Sequence, residues 1–325
     1  MHFVSGADVS RILSFPLLIA TMEEAHRRPK AEVLDGFLGD EKAQYVIRSA
    51  VERGRYMASK MFTSFPANLA GGEMPAVQAV CVLFDGSNGR PLAVIDGTAI
   101  THWRTAADSA LGAKFLAPEN PEVLLVIGAG QMAEWLVRAH RTVRPSLRRV
   151  LIWNRTMARA AALAARLRQA GIETQTVADL DAATRMADVI TTCTRSHEPL
   201  IKGANLRPGT HLDLVGGYTP QTREADDEAA RRARIFVDRR ESAFHGVGDI
   251  LQPIASGAIE ESDVLGDLYD LAAGAAGRPS ASDITFFKNA GGGHLDLMAC
   301  EAVFQHLGAR MQRREAHGQV STDQT

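Results

Sequence analysis

The sequence predicts an α/β protein whose parallel sheet is covered by helices on both faces, and three observations carry that reading. From Pro121 onward, apolar β-rich runs (VLLVIGAG, RVLIWN, ADVITTCT, THLDLVGG, ARIFVD) alternate with helical stretches such as MARAAALAARLRQAG. The first of these runs ends in a glycine turn and passes into a segment with an apolar stripe, AEWLVRAH. Before Pro121 the texture differs: between about Tyr45 and Ile100, short β-rich runs are separated by GG, DGSNG and DG turn signals.

Taken in order, ADVSRILSFPLLIATMEEAHRR spaces its apolar residues three and four apart and offers Asp8 or Ser10 near its start, which predicts a helix. YMASKMFTSFP, AVQAVCVLFD and PLAVIDGTAIT read as strands, and THWRTAADSALGAKFLA returns to helix. After the alternating region, SDITFFKNAGGGHLDLMACEAVFQHLGARM gives a further strand, a glycine turn and a long helix. The polar end, REAHGQVSTDQT, reads as a frayed tail.

Composition narrows the function classes. The 325 residues suffice for two ordinary domains, and 46% hydrophobic with 23% charged residues is the profile of a soluble globular protein. Lys plus Arg number 36 against 38 Asp plus Glu, so no net field favours nucleic acid or an anionic membrane. Cys81, Cys193 and Cys300 are scattered and form no CxxC, which argues against a disulfide framework or a zinc site and for a cytoplasmic location. The N-terminus lacks the basic and apolar regions of a signal peptide, and no run reaches the roughly 20 apolar residues of a membrane span. No internal repeat is present.

The glycine turn is the first chemical signal. Gly128, Gly130 and Ala133 occupy the three positions of a G-x-G-x-x-G/A pattern: a tight turn, close backbone approach to a pyrophosphate, and close helix packing. The helix start then offers free N–H groups and a positive dipole end. Gly128, Ala129, Gly130, Gln131 and Met132 are therefore the expected contacts to a dinucleotide, with a ligand-free tight turn as the alternative. An acid at the end of the second strand would hold the adenosine ribose of NAD. Here Asn154, Arg155 and Thr156 stand there, and a guanidinium with two neutral hydrogen-bonding groups favours the 2′-phosphate of NADPH over NADH, with a solvated surface arginine as the alternative.

Other polar residues invite chemistry. Lys60 sits in an apolar strand-like run and must either reach solvent or meet an anion, solvent being the better reading of the residue alone. Arg104 opens a helical stretch, where it opposes the dipole and calls for an anionic partner. The three glycines of FFKNAGGGHLDLM suit either close approach to a ligand or backbone, or a plain turn. His102, His211, His245 and His294 lack metal-ligand spacing, so no metal is expected, and neither a G-x-S-x-G elbow nor a P-loop occurs.

Together these stretches resemble the ornithine cyclodeaminase/mu-crystallin family. The matching segments are K-x-x-x-x-x-P-x-N at Lys60–Asn68, RTAADSAL at Arg104–Leu111, IGAGQMA at Ile127–Ala133, THLDLVGGYTP at Thr210–Pro220, READD at Arg223–Asp227 and FKNAGGGHLDL at Phe287–Leu297. They follow the family's order over nearly the whole chain. The resemblance implies a Rossmann-type domain, residues 118–290, inserted in an α+β substrate-binding and dimerisation domain made of 1–117 plus 291–325, and a homodimer. It implies that Lys60 and Arg104 bind the substrate carboxylate, with Lys60 also the proton donor, and that Arg104 and Thr105 touch the cofactor. Thr194, Val215, Gly216 and Asn289 would line its nicotinamide half. A second carboxylate-binding arginine is either Arg48 or Arg55.

One departure bears on the reaction. Cyclodeaminases carry an aspartate after V-G-G where this chain has Tyr218, and usually an acid where it has Asn154–Thr156. Both differences point to the imine-reductase branch of the family. The expected activity is NADPH-dependent reduction of a small α-imino acid, most simply Δ1-pyrroline-2-carboxylate or Δ1-piperideine-2-carboxylate, to L-proline or L-pipecolate. An ornithine cyclodeaminase, an alanine-dehydrogenase-like enzyme and an NADPH-dependent binding protein without turnover are the alternatives.

Overall fold

A computed structural model describes residues 1–40, 42–68, 74–275 and 277–318, with side chains through Leu307. The chain divides into two compact units, one formed by Met1–Ala25, Pro29–Arg104 and Gly292–Thr325, the other by His26–Arg28 and Thr105–Gly291.

The first unit is built on a six-stranded sheet. Its strands are β1 (His2–Val4), β2 (Glu32–Gly39), β3 (Gln44–Glu52), β4 (Tyr56–Ser64), β5 (Val77–Asp85) and β6 (Pro91–Asp96), in the order β1-β6-β5-β4-β3-β2. β2 to β6 form an antiparallel meander and β1 adds to β6 in parallel. The helix Gly293–Gly318 packs across β3 and β4. Register places Asp35, Arg48, Lys60 and Cys81 side by side on consecutive strands, so they share one face of the pleat.

The second unit carries eight parallel strands: β7 (Val123–Ile127), β8 (Arg149–Trp153), β9 (Thr174–Thr176), β10 (Val189–Thr192), β11 (His211–Leu214), β12 (Ala233–Val237), β13 (Val264–Asp267) and β14 (Ile284–Lys288). Their order is β13-β12-β14-β11-β10-β7-β8-β9. Every residue of β7 is buried, with Leu125 and Ile127 in one apolar cluster and Leu124 and Val126 in another, which is why this strand reads as an unbroken apolar run. The helices Gln131–Val143 and Met157–Gln169 cover one face through Ala133, Val137, Ala160 and Leu163. The chain leaves β7 toward β8 on one side and toward β10 on the other. The crevice at the carboxyl ends of β7 and β10 is thus a topological switch point.

Several expectations change. The helix from Gly97 to Leu116 is longer than its sequence stretch suggested, and Arg104 lies in its third turn and does not open it. Residues 105–117 count with the parallel sheet: Gly112 lies against the Phe287 ring, where a Cβ would come within 2.7 Å, and Ala113 packs with Leu124 and Val126. The C-terminal helix continues through Gly318, so the frayed tail does not begin at Arg314, and residues 319–325 lie outside the described residues. Among the described residues no helix is long and apolar enough to cross a membrane.

Candidate functional site

The first cluster of candidate side chains lies within the first unit. Lys60 is only 3% exposed, against the solvent-facing reading, and it meets an anion that carried no assignment in the sequence. Its Nζ donates to Asp296 Oδ1 at 2.8 Å and to Thr101 Oγ1 at 3.3 Å. Asp296 projects from the first turn of the helix Gly293–Gly318, whose start lies tight against β3: a Cβ on Gly293 would fall 2.7 Å from the Ser49 carbonyl oxygen. Close backbone approach is therefore the role of that glycine, while Gly291 and Gly292, with φ of 76° and 158°, form the turn before it.

Arg104 is the anion-seeking arginine that the sequence called for. Its Nε lies 3.2 Å from Asp296 Oδ1, and the residue is buried. Arg48 stands directly across from Lys60 on β3, with Nε 3.8 Å from Asp35 Oδ2. Arg55, its competitor, pairs with Glu52 at 3.3 Å and with Glu301. Arg48 is thus the arginine beside the lysine. Burial pulls the Lys60 ammonium below its usual range, partly offset by Asp296. Burial alone would raise Asp296, but Lys60 and Arg104 hold its carboxyl below the ordinary value. Among the described residues, the ion pairs of this cluster bring three cations, Arg48, Lys60 and Arg104, to two carboxylates, Asp35 and Asp296. A largely buried positive surplus is costly unless an anion completes it, and one carboxylate would do so.

The second cluster lies within the second unit. After β7, Gly128 adopts φ of 111° and its N–H donates to Trp153 O at 2.9 Å, joining the glycine turn to the end of β8. Gly130 caps the helix Gln131–Val143 without a side-chain hydrogen bond, and among the described residues nothing beyond its chain neighbours lies within 4 Å of where its Cβ would be. An open, uncapped helix start is what a pyrophosphate needs, so Gly128, Ala129, Gly130, Gln131 and Met132 fit one. Asn154 braces the turn: its Oδ1 accepts from Ala129 N at 3.2 Å and its Nδ2 donates to Thr156 O at 2.9 Å. Arg155 and Thr156 are exposed, and the Thr156 side chain makes no capping bond to the next helix.

At the neighbouring strand ends, Thr194 follows β10 and Val215–Gly216 follow β11. Asn289, just beyond β14, donates to Thr105 O at 3.0 Å and to Ser109 Oγ at 3.1 Å. Tyr218 is 51% exposed and lies 6.0 Å from the Arg195 guanidinium. Beneath these loops is a buried network that the sequence did not reveal as such: Glu224, Asp249 and Lys288. Burial, then Asp249, pushes Glu224 up to about 7 against the pull of Lys288 and two threonines.

A model of the ornithine cyclodeaminase/mu-crystallin family matches residues 40–310. The chain belongs to that family. As a member it is 42% identical over 303 residues to a Δ1-pyrroline-2-carboxylate reductase of Paracoccus denitrificans, covering 93% of this chain and 96% of that one. It is 35% identical to the ketimine reductase mu-crystallin of Rattus norvegicus, over 83% of this chain and 80% of the relative. Among solved structures it resembles Thermococcus litoralis Δ1-pyrroline-2-carboxylate reductase in complex with NADH and L-proline, with a TM-score of 0.89 and 29% identity over 95% and 98% of the two chains. The α/β architecture and the dinucleotide turn are those of the family. Asp296, Glu224 and Lys288 were already inside its motif segments HLDL, READD and FKN, and the signal that marks them is a charge flanked by apolar or buried neighbours.

Proposed function

We propose that the protein is an NADPH-dependent reductase of an α-imino acid, with the cyclic ketimine Δ1-pyrroline-2-carboxylate or Δ1-piperideine-2-carboxylate as substrate and L-proline or L-pipecolate as product. The observation that carries this reading is the surplus of positive charge where Arg48, Lys60 and Arg104 gather around Asp296. A small substrate carboxylate fits that surplus, and of the relatives named above one is a Δ1-pyrroline-2-carboxylate reductase, one a ketimine reductase and one was captured with L-proline.

A bound nicotinamide dinucleotide supplies the hydride for the C=N carbon. Arg104, Lys60 and Arg48 hold and orient the carboxylate, which is positioning and electrostatics. Lys60 gives a proton to the imine nitrogen, because an iminium accepts hydride better than a neutral imine. Arg104, Thr105 and Asn289, with Thr194, Val215 and Gly216, are the contacts assigned to the cofactor's nicotinamide half. Tyr218 stands as a phenol where cyclodeaminases place an aspartate, which removes the carboxylate that serves ring closure, and its exposed ring is available to cover the substrate.

Arg155 and Thr156 favour NADPH through the 2′-phosphate. NADH, bound in the Thermococcus structure, is the competing cofactor. A homodimer completes the reading. β2 is a sheet edge that exposes Leu34, Phe37 and Leu38, an apolar edge suited to a second copy of the chain. The three cysteines are free thiols, in keeping with a cytoplasmic location. The test is an initial-rate screen of cyclic and acyclic α-imino acids with NADPH and NADH in parallel. Oxidation of neither cofactor by any imine would overturn the proposal.

A further inference from the structure

We infer that Glu224 is a positioning residue for the nicotinamide half of the cofactor site, fixing the backbone at Thr194 and Gly216 in the shape that the cofactor meets. This deepens the function proposed above and rests on its dinucleotide reading.

The carboxylate of Glu224 is fully buried and receives four hydrogen bonds. Oε1 accepts from the Thr194 N–H and hydroxyl, both at 2.7 Å, and Oε2 accepts from the Thr192 hydroxyl at 2.5 Å and the Gly216 N–H at 2.7 Å. One side chain therefore joins the ends of β10 and β11. The chain closes around it: Glu224 N donates to Asp249 Oδ1 at 2.6 Å, while Lys288 Nζ donates to Asp249 Oδ2 at 3.0 Å and to the Gly216 carbonyl. Gly216 has no room for any larger residue, since a Cβ would meet Thr194 O at 2.1 Å and Glu224 Oε1 at 2.5 Å.

Its position connects this brace to the ligand. The switch-point crevice opens at the ends of β7 and β10, and a Cβ on Gly128 would lie 3.0 Å from the carbonyl oxygen of Cys193, the residue before Thr194. The loop braced by Glu224 thus abuts the glycine turn. Both Thr194 donors are taken by the carboxylate, and its hydroxyl oxygen accepts from the Ser196 N–H at 3.3 Å, so Thr194 offers a ligand its methyl group and the remaining acceptor capacity of its oxygens. The ligand group that suits an acceptor is a donor, such as the amide of a nicotinamide carboxamide.

Glu224→Gln tests the assignment. The amide keeps the shape, but wherever its NH2 is placed it faces the N–H of Thr194 or of Gly216. Two dissociation constants are measured on the full-length variant and wild type by titration calorimetry. One is for the reduced dinucleotide that wild type prefers, the other for the matching adenosine half, 5′-AMP or 2′,5′-ADP. We expect about tenfold weaker binding of the whole dinucleotide and unchanged binding of the adenosine half. Equal weakening of both, as a merely structural role would give, or no change in either, overturns the inference. If wild type binds no dinucleotide, the cofactor reading fails and takes this inference with it. Should the Gln variant not fold, Thr192→Val, which removes one donor, must show the same selective loss on a smaller scale, and equal effects on both ligands would overturn the inference.

Discussion

Lys60 Nζ lies 2.8 Å from Asp296 Oδ1, and this buried contact joins residues 236 positions apart in the chain. It links the centre of the first unit's sheet to the first turn of the C-terminal helix, so the Asp296 carboxylate reaches the cations only when segments distant in the chain have folded together. It also sets the charge of the cluster, because Asp296 compensates part of what Arg48, Lys60 and Arg104 bring.

Replacing Lys60 by Met should lower turnover by on the order of 10²–10⁴-fold, the usual contribution of a positioned proton donor. Cofactor affinity should change little. Steady-state kinetics with a parallel cofactor titration checks this, and full activity in the variant would remove the proton-donor role.

The pH profile follows from the burial of that lysine. Burial lowers the Lys60 ammonium from 10.5, so the proton it donates is lost on the alkaline side at a pH below 10.5. The alkaline limb of kcat/KM should therefore fall below that value. Asp296 favours the charged lysine, so Asp296→Asn should move the limb to still lower pH. A limb that stays in place or moves upward would contradict the coupling.

Arg155 is exposed at the end of β8, where the extra phosphate of NADPH is expected. Arg155→Ala should weaken NADPH by roughly tenfold to a hundredfold, the range for a charge-assisted hydrogen bond, and leave NADH nearly unchanged. Equal losses for both cofactors would sink the phosphate assignment.

Gly293→Ala should destabilise the protein by about 1–3 kcal/mol, the usual cost of overpacking. The new methyl would press on the Ser49 backbone, which cannot swing away as a side chain would. Urea denaturation measures the loss. An unchanged midpoint would show that the helix start can shift without cost.

The exposed apolar edge of β2 should be covered in a dimer. Leu34→Asp with Phe37→Asp is expected to convert a dimer of twice 35.1 kDa to a monomer in light scattering behind size exclusion. A dimer of unchanged strength would place the interface elsewhere.

How far the sequence disclosed all this depended on the kind of signal each element carries. β7 is apolar at every position because both faces are covered, and its glycine turn follows directly, so the dinucleotide turn was legible. β2 was not anticipated: Asp35, Gly36 and Gly39 depress its strand propensity, and as an edge strand it lacks a clean buried face. β9 and β13, three and four residues long, were too short to show a period. Lys60 alone read as a solvent-facing residue, because its partner Asp296 is distant in the chain and a single sequence holds no record of that contact. Arg48 and Arg55 could not be separated until register set Arg48 opposite Lys60. Glu224 lies in the READD segment, but its hydrogen bonds depend on strand ends that converge only in three dimensions.

Reduction of a cyclic α-imino acid with NADPH has a fixed product stoichiometry, which can be measured. Purified protein is incubated with Δ1-pyrroline-2-carboxylate and NADPH, with L-ornithine plus NAD as the parallel incubation, and proline and ammonia are quantified. One L-proline formed per NADPH oxidised, with no ammonia released from ornithine, is the expected result. Proline and ammonia from ornithine without net cofactor consumption, and no NADPH oxidation with the imine, would contradict it.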